Sequence, residues 1–315
     1  MADIIDIFQW LEDDAIYKQC ATFFKVTDKS ALMVSISNLN ISDKDELLKI
    51  VNAPLSKEEV TYNILVLMAK LLSKSKYVEY FALKGGLVLV TLIRDKGYNE
   101  LLRRTGDMDI HCTSKDKWDL FCSECEDLFN TNIEGYTFKL IKRRNDMKPS
   151  EVTDSLSFSI NHALHGTFAI DIDMNVKSND IVELEFNNSL GLNAYTVPSM
   201  LADKLNVIAD YKLHRRIKDL YDLYVFITMY DLSFLDVSTA YSKKYGKKLN
   251  ELQSITVPEN FESLSHAYGK YDGITNKPKF NDLLNLCNAF ITPVFEGLLN
   301  EKHIWECGRG IWVEY

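Results

Sequence analysis

The chain has 315 residues, 46% of them hydrophobic and 26% charged, a balance that suits a globular protein with a sizeable core in one large domain or two modest ones. A net charge of −9 excludes a protein that coats nucleic acid or anionic membrane with its whole surface, so any polyanion site must be a local patch. The start MADIIDIFQWLEDDAIY carries acids where a signal peptide needs basic residues, and no apolar run approaches the roughly 18 residues of a membrane span. The chain therefore reads as cytoplasmic and off the membrane.

Residues 1–75 read as helical. Apolar residues recur at helical spacing from Asp6 to Phe24, and two further helices open at Ser42 and Ser56, the second with Glu59 at capping-box spacing. The pattern then changes to short strands at Tyr80–Leu83, Asp107–Cys112, Tyr136–Arg143, Ser155–Ala163 and Thr167–Val176. The last two are separated by Leu164, His165 and Gly166, the mark of a tight hairpin. From Pro198 the helical period returns: one long or two consecutive helices to Tyr230, then helices at 236–253 and 280–300, with a connecting loop over 254–279. The expected organisation is an N-terminal helical segment (1–75), a small mixed α/β core (76–197) and a C-terminal helical domain (198–315).

Six cysteines spread over this length do not form a disulfide framework. Cys122 and Cys125 form a C-x-x-C inside an amphipathic helix with no second pair of ligands, which reads as ordinary helix cysteines. His162 and His165 make an H-x-x-H where a strand runs into a turn, a poor frame for zinc. The basic run Lys139, Lys142, Arg143, Arg144 and Lys148 reads equally as a nucleic-acid contact or a solvated strand end.

The chemistry concentrates at two carboxylate pairs. On a strand, residues two apart share a face, so Asp107 and Asp109 stand side by side while Met108 and Ile110 face the core. Paired carboxylates invite a hard divalent cation, and two such ions can hold the attacking and leaving oxygens of a phosphoryl or nucleotidyl transfer. A solvated edge strand is the plainer account of D-x-D taken alone. Upstream, Lys84-Gly85-Gly86 ends a strand and enters an apolar helix, so its amides can face an anion at close range, yet no P-loop pattern is present. Asp171 and Asp173 again share a face, and either could supply a third acid that also takes a proton from an attacking hydroxyl.

Three elements taken together resemble the nucleotidyltransferases of the DNA polymerase β superfamily, and more closely the AbiEii/AbiGii toxin family. They are Lys84-Gly85-Gly86, then Arg103-Arg104-Thr105-Gly106-Asp107-Met108-Asp109, and then Lys204 followed by Arg215-Arg216-Ile217-Lys218-Asp219-Leu220-Tyr221-Asp222. The resemblance implies a polymerase-β-like core and an NTP-dependent transfer of a nucleotide to an acceptor hydroxyl with release of pyrophosphate. It implies two Mg²⁺ ions on Asp107, Asp109 and Asp171 or Asp173, with Lys204 and Asp219 also catalytic. Lys84, Gly85, Gly86, Arg103, Thr105, Lys204, Arg215 and Lys218 would bind the nucleotide. It further implies a toxin of a toxin-antitoxin or phage-defence pair, with a cognate antitoxin and an RNA acceptor such as tRNA. Leu87 departs from the family pattern, which has Ser or Thr there, and leaves Thr105 or Thr91 to supply a hydroxyl. A small-molecule or protein acceptor, or a catalytically silent nucleotide-binding relative, is the alternative.

Overall fold

The structure is a computed structural model that describes residues 2, 4–39, 41–52, 55–148, 151–176, 182–209, 215–252 and 261–315. Its first four helices are α1 (Ile4–Trp10), α2 (Asp14–Phe24), α3 (Lys29–Ser37) and α4 (Lys44–Asn52). The helical run from Asp6 to Phe24 is broken in two because Asp13 caps α2, its carboxylate accepting from the amides of Ala15 and Ile16. Ile7, Ile16, Cys20, Leu32, Ile36 and Leu47 gather these helices around an apolar cluster of their own. Helix α5 (Lys57–Leu72) opens in the capping box of Ser56 and Glu59 and packs instead into a second, larger core that continues as far as Trp305.

The elements β1 (Phe81–Lys84), α6 (Gly85–Asp95), β2 (Asp107–Cys112), α7 (Lys115–Phe129) and β3 (Asn132–Ile133) follow. Then come β4 (Tyr136–Lys148), β5 (Glu151–His162), β6 (Gly166–Val176), β7 (Leu184–Asn187) and β8 (Leu192–Tyr195). They form a mixed eight-stranded sheet in the order β3-β4-β5-β6-β2-β1-β8-β7. Strand β2 runs parallel to β6 and β1 parallel to β8, while the remaining pairs are antiparallel. One face is apolar: Trp118, Phe121, Cys125 and Phe129 recur on α7 at helical spacing and bury their side chains there. Phe121 packs edge-on to Phe81 at 5.1 Å between ring centroids, and Phe129 lies 4.7 Å from Phe158. The Trp118 indole N–H donates to buried Asp154 at 3.0 Å. The other face carries the polar residues of β2, β5 and β6.

Beyond the sheet, the run opened by Pro198 is two helices, α8 (Val197–Ile208) and α9 (Ile217–Met229), and Thr196 caps the first. Residues 210–214 and 253–260, where the sequence suggests a continuing helix and a loop, lie outside the described residues. After β9 (Leu232–Ser233) come α10 (Phe234–Tyr245), α11 (Phe261–Lys270), α12 (Phe280–Phe295), β10 (His303–Glu306) and β11 (Ile311–Glu314). Helix α10 ends earlier than expected, at Gly246, whose φ of 65° terminates it. The C-terminal region, expected to be helices joined by a loop, also holds a three-stranded sheet in the order β11-β10-β9. Its strands are too short to show a period. They are held by Trp305 and Trp312, which pack on Phe290 and donate to the carbonyls of Ile227 and Phe290 at 2.7 and 3.1 Å.

Because α1–α4 have a separate core, Leu32→Ala, at a side chain with 0% exposure, should cost about 3 kcal/mol within those helices. Amide hydrogen exchange should then speed up in α1–α4 while protection of β1 and β2 is kept. Equal loss in both regions would show that the two cores unfold as one.

Candidate active site

Strand pairing sets the acids in a grid. Residues directly opposite each other on neighbouring strands point to the same face, about 4.8 Å apart. Asp107 is opposite Asp171 and Asp109 opposite Asp173 across the parallel β2–β6 pair. On the outer sides, Lys84 of β1 stands opposite Asp109, and Ser155 and Ser157 of β5 stand opposite Asp173 and Asp171. All four carboxylates therefore share the polar face. Both Asp171 and Asp173 are level with a partner on β2, and Arg144 reaches Asp171 at 3.4 Å.

The glycines fit against this grid. Gly85 has φ of 71°, and a Cβ there would overlap the Asp109 carboxylate, so only glycine allows the acid to press against the start of α6. A Cβ at Gly86 would lie 2.7 Å from Thr105 Oγ1 and 3.2 Å from the Arg103 guanidinium. The Arg103 and Thr105 side chains thus back the corner. Thr105 Oγ1 is buried and has no hydrogen-bond partner among the described residues. Leu87 is fully buried in the main core, and Thr91 is taken up by the carbonyl of Leu87 and the hydroxyl of Tyr62. Of the two hydroxyls suggested by the sequence, it is Thr105 that stands at the corner.

Burial pushes the Asp109 carboxyl above the usual carboxylate range, and the neighbouring Asp107 adds to the effect, while Lys84, Lys218 and Lys204 pull the other way. Carboxylate oxygens on an open face suit Mg²⁺, which needs one or two protein carboxylates and takes its other ligands from water and phosphates. Among the described residues, no three Asp, Glu, His or Cys side chains enclose a metal position by themselves. The donor set therefore fits an ion shared with a polyphosphate rather than a protein-only cage.

Below the corner lies a buried ion network. Helix α9 is apolar nearly all round, yet carries Asp219 and Asp222 with side chains 3% and 0% exposed. Arg103 holds Asp222 with two N–H groups, Lys204 Nζ sits 2.7 Å from both carboxylates, and Arg216 Nε is 2.8 Å from Asp219. Burial would raise the Asp222 carboxyl, but Arg103 and Lys204 outweigh it and hold it at about 2. For Lys204, burial favours the neutral amine, and Asp222 and Asp219 reverse that and raise it. Three cations against two carboxylates leave one positive charge in excess.

A cavity of about 310 Å³ opens above this network, lined by Lys84, Gly85, Asp109, Lys204, Arg216 and Asp219 among others. Helix α10 supplies its far wall through Lys244 and Tyr245, both bound to Asp203 Oδ1, at 2.6 and 2.7 Å. These residues are silent in the sequence, because only the packing of α10 on α8 brings them here. Arg216 rather than Arg215 lines the cavity, although both are exposed. Lys218 is also exposed, yet near enough to act on Asp109.

The weaker motifs do other work. Burial pushes the thiols of Cys122 and Cys125 up to about 12 and about 11, and all six cysteines are free. The His162 and His165 rings stack at 4.5 Å, and His162 Nδ1 accepts from the amides of Leu164 and His165, closing the β5–β6 turn.

Removing the Asp222 charge leaves Arg103 and Lys204 buried without their shared partner, so Asp222→Asn should cost about 3–5 kcal/mol at neutral pH. An aspartate held at about 2 contributes stability that is complete above its unfolded value and is lost as the pH falls towards 2. The gap between parent and variant in urea unfolding should therefore narrow from pH 5 to pH 3. A gap that is constant with pH would reject the assignment.

A family model described as nucleotidyl transferase AbiEii toxin, Type IV TA system, matches residues 66–286, from within α5 to within α12. No curated protein matches the chain. Among solved structures, the Megavirus polyadenylate synthase superposes loosely, with a TM-score of 0.32 and 12% identity, over 68% of this chain and 39% of that one. The family match spans the glycine corner, the acid grid and the buried ion network, and covers well over half of the sequence: the chain belongs to the AbiEii nucleotidyl transferase toxin family.

Proposed function

We propose that the protein, a nucleotidyltransferase by family, moves a nucleotide from an NTP to the hydroxyl of an RNA acceptor such as tRNA, as a cytoplasmic toxin countered by a cognate antitoxin. The observation that carries this reading is the register that sets Asp107, Asp109, Asp171 and Asp173 on one face beside the Gly85-Gly86 corner.

In this reading the triphosphate lies over the backbone amides at the start of α6, and Lys84 and Lys218 offset its charge. Asp107 and Asp109 are the oxygen donors for Mg²⁺, joined by Asp171 or Asp173. When bound, Mg²⁺ supplies charge neutralisation at the reacting phosphate and lowers the pKa of the attacking hydroxyl. Asp173, which is level with Asp109 and lines a cavity with Lys84, accepts the proton from that hydroxyl. The hydroxyl oxygen bonds to the α-phosphorus, and the bond from that phosphorus to the pyrophosphate oxygen breaks. Lys204 is gripped by two carboxylates, so its part is to fix α8 against α9 and lend the network's excess positive charge to the leaving group.

Asp109→Asn should lower transfer on the order of 10³-fold while the fold is kept. An aspartate whose folded value is raised costs stability as the pH climbs above its unfolded value, so the same variant should melt at a higher temperature at pH 7 without metal. Full activity in Asp109→Asn would end the metal assignment. The function itself is tested by incubating the protein with Mg²⁺, each labelled NTP in turn and total RNA. Label on RNA of tRNA size is expected. Label on protein or a small molecule with RNA untouched would reject the RNA acceptor, and NTP binding with no label anywhere would leave a binding module.

A further inference from the structure

The polar face does not stop at the acids. Period-two alternation along β4 would place Lys139 and Lys142 on opposite faces, since they stand three positions apart. The register between β4 and β5 shifts between Leu140 and Lys142, and the extra residue, Ile141, is 55% exposed. Through this bulge Lys139, Lys142 and Arg144 stand opposite Ser159, Ser157 and Ser155. Those serines in turn stand opposite Ala169, Asp171 and Asp173. Three basic residues thus share the face of the acids: a row of hydroxyls lies between, across which Arg144 reaches Asp171 at 3.4 Å. From β4 to β2 is three strand spacings, roughly 14 Å.

The neighbour Arg143 is turned to the opposite face, where Asp154 and Asp119 hold it. Its charge is spent on that face, against buried Asp154 and half-exposed Asp119, and it takes no part in the polar surface of the acids. The Lys148 side chain lies outside the described residues. Lys139 and Lys142 are exposed and make no ion pair among the described residues. A cavity of about 390 Å³ lies at the Arg144 end, lined by Lys84, Asp109, Arg144, Ser155 and Asp173 among others. Ser155 Oγ, on its wall, is buried and lacks a hydrogen-bond partner among the described residues. In a chain of net charge −9, a basic column beside the acids is the kind of local patch that a polyanion requires.

We propose that the β4–β5–β6 face is the acceptor track: an RNA strand lays its phosphates along Lys139, Lys142 and Arg144 and crosses the serine row, which brings its terminal hydroxyl to Asp171 and Asp173. The β4 bulge is the device that turns the column to the catalytic side. This rests on the nucleotidyl-transfer reading for the purpose of the track, but RNA binding can be measured without catalysis.

The test is fluorescence anisotropy of a labelled single-stranded RNA oligonucleotide over a salt series, for the parent and for Lys139→Ala/Lys142→Ala. The double variant should bind roughly tenfold more weakly, by a similar factor for oligonucleotides of different sequence. The slope of log affinity against log salt should fall by about 0.7 per lysine removed. In the transfer assay its KM for RNA should rise while its KM for NTP holds. A second measurement uses the parent alone: bound RNA should protect Lys139 and Lys142 from an amine-reactive label. Unchanged RNA affinity and slope in a variant that melts like the parent, or labelling unaffected by RNA, would overturn the track while leaving nucleotidyl transfer in place. Lysine- and salt-dependent RNA binding with no transfer from any NTP would uphold the track and reject the function. Capture of polyglutamate with the same lysine dependence, and no RNA, would assign the face to an acidic polypeptide and overturn the proposal.

Discussion

Asp222 has no exposed side-chain surface and sits in a helix that is apolar nearly all round. A carboxylate in such a place survives charged only if it is paired and hydrogen-bonded. Arg103 and Lys204 meet that demand together, and in doing so join three parts of the chain: the segment before β2, helix α8 and helix α9. Arg103 is also one of the groups against Gly86, so the same ion pair that closes the C-terminal helices onto the sheet braces the glycine corner. The isolated bridge between Arg103 and Ile274, with Arg104 N–H donating to the Gly273 carbonyl at 2.7 Å, ties a later segment to the same place.

On this brace, the site is built by register. Parallel pairing of β2 with β6 stacks four acids that the chain order separates by some sixty residues, and antiparallel pairing with β1 adds Lys84 at the end of the row. The cost of crowding like charges is visible at Asp109, which burial and Asp107 push upward. Gly85 contributes by what it lacks: no side chain, and hence a carboxylate in contact with the start of a helix.

Neighbouring residues with the same chemistry take opposite roles because a strand has two faces. Arg143 is locked to Asp154 and Asp119 beside Trp118, while Arg144, one residue on, reaches Asp171 among the acids. Asp219 and Asp222 stand three positions apart on α9, and burial of that helix gives them partners from elsewhere in the chain: Lys204 on α8 for both, and Arg103 before β2 for Asp222.

The sequence by itself determined the alternation that aims Asp107 and Asp109 one way and Met108 and Ile110 the other, the capping box of α5, the Pro198 start of α8 and the family resemblance in three motifs. These are local, within one turn or one strand, and local geometry is written in spacing. It did not determine β3 or β7 to β11, strands of two or four residues that are too short to carry a period, nor the break at Asp13. Nor did it show that α5 belongs with the sheet, that Lys204 is clamped by two acids, that Lys244 and Tyr245 wall the cavity, or that Ile141 is a bulge. Each of those depends on which surfaces meet. A contact between segments far apart in the chain leaves no periodic trace in either, so it was the tertiary structure that decided it.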